Sequence, residues 1–213
     1  MSKRSIYIKK LTMLALAVSM YIISGLYIKI NIPPVPFSTL TLFTMLTAML
    51  IGKYLAPLAM LIYIAMGLAG LPIFASGLGG PMYVFQPSFG YLIGFVISSF
   101  IVGWLNEYVK DNRKVRYEAL LNVTNKWERL KIRVKYSEVL RRFVICILGL
   151  IVVYFVGVLY FVLMKQFYFG EGVDMGSVMI SFVLIFIPSD TMWCILASVI
   201  SGKIIRALRL NQQ

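Results

Sequence analysis

One acidic side chain in an apolar setting is the first feature of this sequence that could carry chemistry. Asp190 follows Pro188 and Ser189 in the stretch IFIPSDTMW. Burying a carboxylate among apolar residues costs free energy, so an acid in such a place is a candidate for a functional role. An ionised carboxylate accepts hydrogen bonds from N–H and O–H donors, so Asp190 is a candidate for binding a polar ligand. A second interpretation, compatible with the first, is that Ser189 and Asp190 cap a helix beginning at Thr191.

A second candidate site is the stretch GLPIFASGLGGPMYVFQPSFGYLIGF, residues 70–95, where glycine and proline interrupt apolar sequence. Glycine lets the backbone approach a ligand closely, so the amides of Gly77, Gly79 and Gly80 could present donors to an anion or a carbonyl. Aromatic and polar side chains would complete the walls of a pocket for a small amphipathic ligand. These are Tyr83, Phe85, Gln86, Ser88, Tyr91 and, from an earlier segment, Phe37. A tight external turn without a ligand is the alternative.

The composition places these residues in a membrane. The chain is 60% hydrophobic and 14% charged, contains no histidine, and has a mean hydropathy of +0.86, far from the values of a soluble domain. Its apolar runs are continuous rather than alternating, which indicates membrane-spanning helices and not a barrel. The two cysteines, Cys146 and Cys194, lie in apolar runs and suggest neither a disulfide framework nor a metal site. No P-loop motif occurs, and no cofactor is expected.

Six membrane spans are predicted, over 9–30, 38–52, 55–69, 88–108, 140–165 and 189–210. The N-terminal residues also begin like a cleaved signal peptide, but the apolar run from Leu11 to about Ile28 is longer than a usual signal and no small-residue cleavage site follows it. Residues 176–187 are apolar but too few to cross a membrane. They are predicted to form an outer-side or re-entrant helix.

The distribution of cations decides the predicted topology. If residues 38–69 form a hairpin of two short helices, all but Lys29 and Lys165 of the 21 Lys and Arg residues lie on one side. The positive-inside rule makes that side cytoplasmic. One long helix would instead move residues 110–142, with their many cations, to the outside. The hairpin is therefore predicted, in a single plasma (inner) membrane domain over 1–213 with both termini cytoplasmic.

Residues 110–142 are predicted to form a basic cytoplasmic loop. The part from Asp111 to Arg142 carries ten cations and four acids, which fits a solvated loop that obeys the positive-inside rule. Contacts with anionic lipid or with a partner subunit are the alternative, and nucleic acid is not an expected partner. The alternation in LKIRVKY, residues 130–136, also allows a short strand or a surface-lying segment.

Five stretches resemble the BioY family in order and spacing. These proteins are the substrate-binding S components of biotin transporters of the energy-coupling factor (ECF) type. The stretches are VPFSTLTL (35–42), GLAGLPIFASGLGGP (67–81), PSFGYLIGF (87–95), GLIVVYFVG (149–157) and PSD (188–190). The resemblance covers about residues 10–105 and 140–205 and is most specific over 67–95.

The resemblance implies an all-α integral membrane fold, a six-helix S-component bundle with substrate loops on the outer side. Such a protein binds biotin from outside and performs no catalysis. It docks to a transmembrane coupling subunit that carries two ATPases. The substrate-binding residues expected in this chain are Asp190, Tyr83, Tyr91, Tyr154, Gln86, Thr41, Phe37, Gly79, Gly80 and Trp193.

Several positions depart from the family pattern. Leu40 stands where the family usually has glutamine, although the following Thr41 is retained. Trp193 replaces a lysine, and a tryptophan offers a single N–H and no charge. These departures keep open an S component for another small vitamin. A polytopic enzyme using Asp190 with a serine or cysteine is disfavoured because histidine and paired acids are absent; its candidate partners are Ser189, Ser76 and Cys194. A non-transporting scaffold would leave the glycine-rich stretch unexplained.

Overall fold

The computed structural model describes residues 3–26, 29–30, 37–120, 127–168 and 174–210, and these residues are almost entirely helical. The helices are α1 (Lys3–Leu26), α2 (Leu40–Leu68), α3 (Phe89–Leu120), α4 (Trp127–Leu163), α5 (Met175–Met179) and α6 (Ile187–Leu210). Two-residue strands, β1 (Lys29–Ile30) and β2 (Phe37–Ser38), pair antiparallel between α1 and α2. Short 3₁₀ turns occupy Ala75–Gly77 and Pro81–Phe85, and π-helical turns occupy Met164–Tyr168 and Ile180–Leu184.

Within these residues, five helical stretches are long and apolar enough to cross a membrane. They are Tyr7–Leu26, Leu40–Leu68, Phe89–Val109, Glu138–Phe167 and Met175–Ile205. The all-helical membrane fold is therefore confirmed. The last stretch joins α5, the second π turn and α6, so the short helix predicted over 176–187 is present and leads into the final span.

Helix α2 folds back on itself at Gly52. This residue has φ 85° and ψ −177°, a backbone conformation that glycine alone adopts readily. Thr41 and Tyr63, near the two ends of α2, line the same cavity, whereas a straight helix would hold them about 33 Å apart. The helix therefore consists of two limbs, 40–51 and 53–68, and the predicted hairpin is confirmed.

Two neighbouring side chains of α3 satisfy the backbone groups that the break exposes. In a continuous helix the Met49 carbonyl would accept a hydrogen bond from the Lys53 amide. Here the Lys53 amide donates to Glu107 Oε1 at 3.2 Å, and Asn106 Nδ2 donates to the Met49 carbonyl oxygen at 3.1 Å. Glu107 Oε2 also forms an ion pair with Lys53 Nζ at 3.3 Å. The carboxylate thus lies at the start of the second limb, where the helix dipole favours negative charge.

The break and the cavity lie at opposite ends of the bundle. Ser201, near the end of α6, contacts Met49 Sδ at 3.3 Å beside the break, whereas Asp190 near the start of α6 lines the cavity. Ser24 bonds to Thr39 at 3.0 Å near the end of α1. The N-terminal end of α1 and the C-terminal end of α6 therefore both point away from the cavity.

Close packing of α3 against α4 brings two tyrosines together. Added side-chain carbon at Gly157 would lie 2.9 Å from the Tyr91 ring, and at Gly94 it would lie 3.0 Å from the Val153 backbone. Small residues at such crossings let membrane helices approach closely. As a result the rings of Tyr91 and Tyr154 meet edge to face with centroids 6.5 Å apart.

The basic segment differs from the prediction. Residues 110–120 continue α3 and residues 127–142 belong to α4, so these parts are helical rather than an irregular loop. The alternative of a strand over 130–136 is wrong. Lysine, arginine, glutamate and leucine all favour helix, and beyond the apolar span that ends at Val109 water can solvate charged side chains without unwinding the backbone.

Replacing Gly52 with alanine should destabilise the fold, because alanine is strained in this backbone conformation and its Cβ would clash with Glu107 Oε1. We expect a loss of about 1–3 kcal/mol in the free energy of unfolding, measured in detergent by titration with sodium dodecyl sulfate. Gly176→Ala in the exposed helix α5 is the matched control and should cost nothing. Equal stability of the two variants would contradict the folded-back geometry.

Replacing Asn106 with alanine should leave the Met49 carbonyl buried without its donor. The expected loss in unfolding free energy is about 1–3 kcal/mol. Thr12→Ala is the control, since the Thr12 hydroxyl bonds to its own helix on an exposed face. A loss no greater than that of the control would show that the break needs no capping from α3.

Candidate functional site

A cavity opens at the end of the bundle where α1, both limbs of α2, α3, α4 and α6 converge. The space between its walls amounts to about 700 Å³, including open solvent at its mouth. Aromatic and aliphatic side chains form most of its wall. Its polar side chains are Thr41, Tyr63, Tyr83, Ser88, Tyr91, Tyr154 and Asp190.

Asp190 joins three elements at the floor of this cavity. Thr41 Oγ1, at the start of α2, donates to Asp190 Oδ1 at 2.9 Å. Tyr154 in α4 donates its hydroxyl to Asp190 Oδ2 at 2.6 Å. Two bonds use half of the roughly four lone-pair directions of a carboxylate. The remaining capacity can accept N–H donors from a ligand.

The capping interpretation of Asp190 is wrong. Helix α6 begins at Ile187, so Asp190 lies inside its first turn, and the Asp190 amide already donates to the Phe186 carbonyl at 2.9 Å. The Ser189 hydroxyl likewise donates to the Phe186 carbonyl at 2.8 Å. Both Asp190 oxygens accept instead from side chains of other helices.

Tyr83 and Ser88 form a second polar point on the wall. Their hydroxyl oxygens lie 2.9 Å apart, and either can be the donor. Whichever hydroxyl donates, the other keeps its own hydrogen and can donate it to a ligand oxygen. Burial raises the pKa of the Tyr83 hydroxyl above its ordinary value, so Tyr83 stays neutral at physiological pH. The Tyr83 ring also packs on Phe74, with centroids 4.3 Å apart.

Two other tyrosines in the wall use their hydroxyls to hold the surrounding structure. Tyr91 donates to the Phe182 carbonyl at 2.6 Å, which ties α3 to the π turn before α6. Tyr63 donates to the Ile73 carbonyl at 3.1 Å, which ties α2 to the following loop. Each phenol has one hydrogen, so these residues offer a ligand mainly their ring surfaces.

Two of the three glycine amides that the sequence suggested as donors, those of Gly77 and Gly80, are used in hydrogen bonds to nearby carbonyls. Gly80 donates its amide to the Gly67 carbonyl at 2.7 Å, and Gly77 donates to the Phe74 carbonyl at 3.0 Å. Gly80 has φ 95°, and at Gly79 a side chain would collide with the Leu71 carbonyl. Gly79 and Gly80 therefore shape the loop and do not line the cavity.

Of the three remaining predicted residues, Gln86 and Trp193 lie outside the cavity wall, and the third is Phe37. Gln86 is exposed, and Trp193 is not among the lining residues. The Trp193 indole nitrogen is buried and has no hydrogen-bond partner among the described residues. Phe37 lies in strand β2, but its side chain is outside the described part of the structure. Of the ten predicted residues, the cavity thus brings together Thr41, Tyr83, Tyr91, Tyr154 and Asp190.

Sequence reasoning missed part of the wall, formed by Gly25, Tyr63 and Phe74. Tyr63 and Gly25 lie within apolar spans, where a single residue carries no sequence signal of the direction that it faces. The departure from the family pattern at Leu40 was the clearest sequence signal of a further wall residue, because Leu40 also lines the cavity beside Thr41. No group of three or more potential metal ligands occurs in the described ranges.

Comparison with known proteins finds relatives of this chain among biotin transporters. The chain is 41% identical over 93 residues to the probable biotin transporter BioY of Lysinibacillus sphaericus, covering 44% of this chain and 47% of the relative. It is 40% identical over 86 residues to the biotin transporter BioY of Thermotoga maritima, covering 40% and 51%. These matches span about half the length of each relative. A biotin transporter BioY of Lactococcus lactis is 26% identical over 199 residues, covering 92% and 90%.

A solved structure shares the fold. The S-component for biotin from an ECF-type ABC transporter matches with a TM-score of 0.71 and 24% identity over 97% of this chain and 95% of that chain. The sequence model of the BioY family matches residues 1–210. The resemblance seen in the motifs is therefore confirmed, and the chain belongs to the BioY family.

Proposed function

We propose that this chain is a biotin-binding S component of an ECF-type vitamin uptake transporter. The observation that carries the proposal is the Asp190 carboxylate, held by Thr41 and Tyr154 at the floor of an aromatic cavity. The fold and the family are those of proteins named for biotin transport. The protein contributes recognition of its ligand and performs no covalent chemistry.

The chemistry of biotin fits this cavity. The ureido ring presents two N–H donors and one carbonyl acceptor, while the fused sulfur ring and the aliphatic chain are apolar. Asp190 accepts from the ureido N–H groups, and the spare hydrogen of the Tyr83–Ser88 pair serves the ureido carbonyl. The rings of Tyr63, Phe74 and Tyr91 enclose the apolar parts. The cavity thus pairs each class of group in the ligand with a matching surface.

The carboxylate of biotin meets a different environment. None of the residues that line the cavity in the described structure is a lysine or an arginine, and Trp193 stands where the family usually has a lysine. A buried anion without a cationic or hydrogen-bonding partner would be costly. The carboxylate therefore lies at the mouth, where water solvates it.

The cavity end faces outward in this proposal, and both termini are cytoplasmic. With the hairpin, the order of the spans in the sequence assigns all but two of the 21 Lys and Arg residues to the side opposite the cavity end, and the positive-inside rule favours that side as the cytoplasmic one. The partners there are a transmembrane coupling subunit and its ATPases, since this chain has no P-loop of its own. Cysteine accessibility of the two ends in intact cells would test the orientation.

An enzyme is the less supported alternative. Ser189 is bonded to the backbone of its own helix, and Cys194 is buried, while Ser76 lies outside the side chains described. Asp190 is engaged by a threonine and a tyrosine instead. An S component for another small vitamin stays open as a second hypothesis, because Leu40 lies in the wall where the family has a polar residue.

Equilibrium binding of labelled biotin to the purified protein in lipid nanodiscs tests the proposal. Asp190→Ala should weaken binding by about 1–3 kcal/mol, since it removes a buried acceptor of ligand hydrogen bonds. Asp174→Ala, an exposed acid outside the cavity, is the control and should bind as the wild type does. Melting temperatures of both variants separate lost binding from lost folding.

The outcomes of that experiment distinguish the site from the substrate. Unchanged affinity in a folded Asp190→Ala protein would remove Asp190 from the site. Absence of saturable biotin binding to the wild type would overturn biotin itself, and competition by another vitamin would then identify the alternative ligand.

Biotin amide should compete nearly as well as biotin, because the cavity offers the carboxylate no cationic partner. We expect its dissociation constant to stay within about tenfold, or about 1.4 kcal/mol, of that for biotin. Competition against labelled biotin measures the ratio. Desthiobiotin, which lacks the sulfur bridge but keeps the ureido ring and the carboxylate, is the matched comparison. A much larger loss for the amide would place the carboxylate in a charged subsite.

A further inference from the structure

The loop between α2 and α3 has an unusual outer surface. Four of its exposed side chains are large and apolar, with 71% of Met82, 45% of Leu71, 45% of Leu78 and 37% of Phe85 accessible. These four residues point away from the cavity, whose wall the same loop builds with the buried rings of Phe74 and Tyr83. An exposed apolar patch of this kind marks a contact surface.

The loop also contains no charge. From Tyr54 to Asn106 the sequence has no Asp, Glu, Lys or Arg, although a loop in water is normally polar. The other segments at the same end of the bundle do carry charge, at Lys29, Lys165 and Asp174. The absence of charge is therefore particular to this loop and not a property of that whole face.

The backbone of the loop is bonded within itself. Amides of Phe74, Gly77, Gly80, Tyr83 and Gln86 each donate to carbonyls of the same loop or of the adjoining end of α2, at distances from 2.7 to 3.1 Å. The Tyr160 hydroxyl of α4 donates to the Val84 carbonyl. Irregular backbone can leave water only when its polar groups have such partners. The bonds named here meet this requirement for part of the loop backbone.

We infer that this loop is a membrane-inserting surface, which seats Leu71, Leu78, Met82 and Phe85 in the headgroup region of the leaflet at the cavity end. The loop joins α2 and α3, both of which contain stretches long and apolar enough to cross a membrane, so the patch lies next to two spans. Lipid is the occupant that needs no complementary charge, and the loop offers none. The inference does not depend on which ligand the cavity binds.

The insertion also has a geometrical consequence for the cavity. The loop carries Tyr83 on its inner side and Met82 on its outer side, as neighbours in one 3₁₀ turn. Lipid contacts with Met82 therefore also restrict the position of Tyr83 in the cavity wall.

Single-cysteine labelling tests the inference on the full chain. In a background with Cys146→Ala and Cys194→Ala, both of which replace buried thiols, Met82→Cys and Leu78→Cys would each carry an environment-sensitive fluorophore. The protein is reconstituted in phosphatidylcholine and phosphatidylglycerol vesicles with bromine near the headgroup end or the methyl end of the acyl chains. Asp174→Cys serves as the water reference, and Phe155→Cys on the lipid-facing side of α4 serves as the hydrocarbon reference.

The expected result is blue-shifted emission at positions 82 and 78, quenched more by shallow than by deep bromine and little affected by aqueous iodide. Iodide quenching equal to that of the Asp174→Cys reference, without bromolipid quenching, would place the loop in water and overturn the inference. Blue-shifted emission that neither quencher reduces would show that protein covers the loop, either a second copy or another chain, and would overturn it as well.

Discussion

The hydrogen bonds to Asp190 are the constraint on which the cavity depends. A carboxylate in an apolar span is tolerated only when nearby groups replace the water that it has lost. Thr41 and Tyr154 supply those groups from two different helices. The need to satisfy one side chain therefore fixes how α2, α4 and α6 meet. It also leaves unused acceptor capacity that faces the cavity.

The break at Gly52 is the second feature that shapes the cavity. Folding α2 into two limbs delivers Thr41 and Tyr63 to the same cavity from one helical segment, with Asn106 and Glu107 of α3 stabilising the reversal. The polar residues at the two ends of the bundle thus have different tasks. Those at the break hold backbone groups, whereas those at the cavity leave some hydrogen-bonding capacity for a ligand.

Much of this architecture could be predicted from the sequence. The hairpin followed from the positive-inside rule, because one long helix over 38–69 would place the many cations of 110–142 on the outside. Asp190 was identifiable because a lone acid among apolar residues needs an explanation. The roles of Gly79, Gly80 and Gln86 could not be predicted, since hydrogen bonds within a loop have no sequence signature. The helical ends of 110–142 were missed because charge was taken to mean loop, although charged residues also favour helix outside the membrane.

The long separation between the partners of Asp190 affects when its hydrogen bonds can form. Thr41 and Asp190 are 149 positions apart in the chain, and α6 is synthesised after α2 and α4. Thr41 and Tyr154 therefore enter the membrane before the carboxylate that joins them. The hydrogen bonds of Asp190 form only after α6 has been inserted, and a chain that stops before α6 lacks the carboxylate that joins its helices.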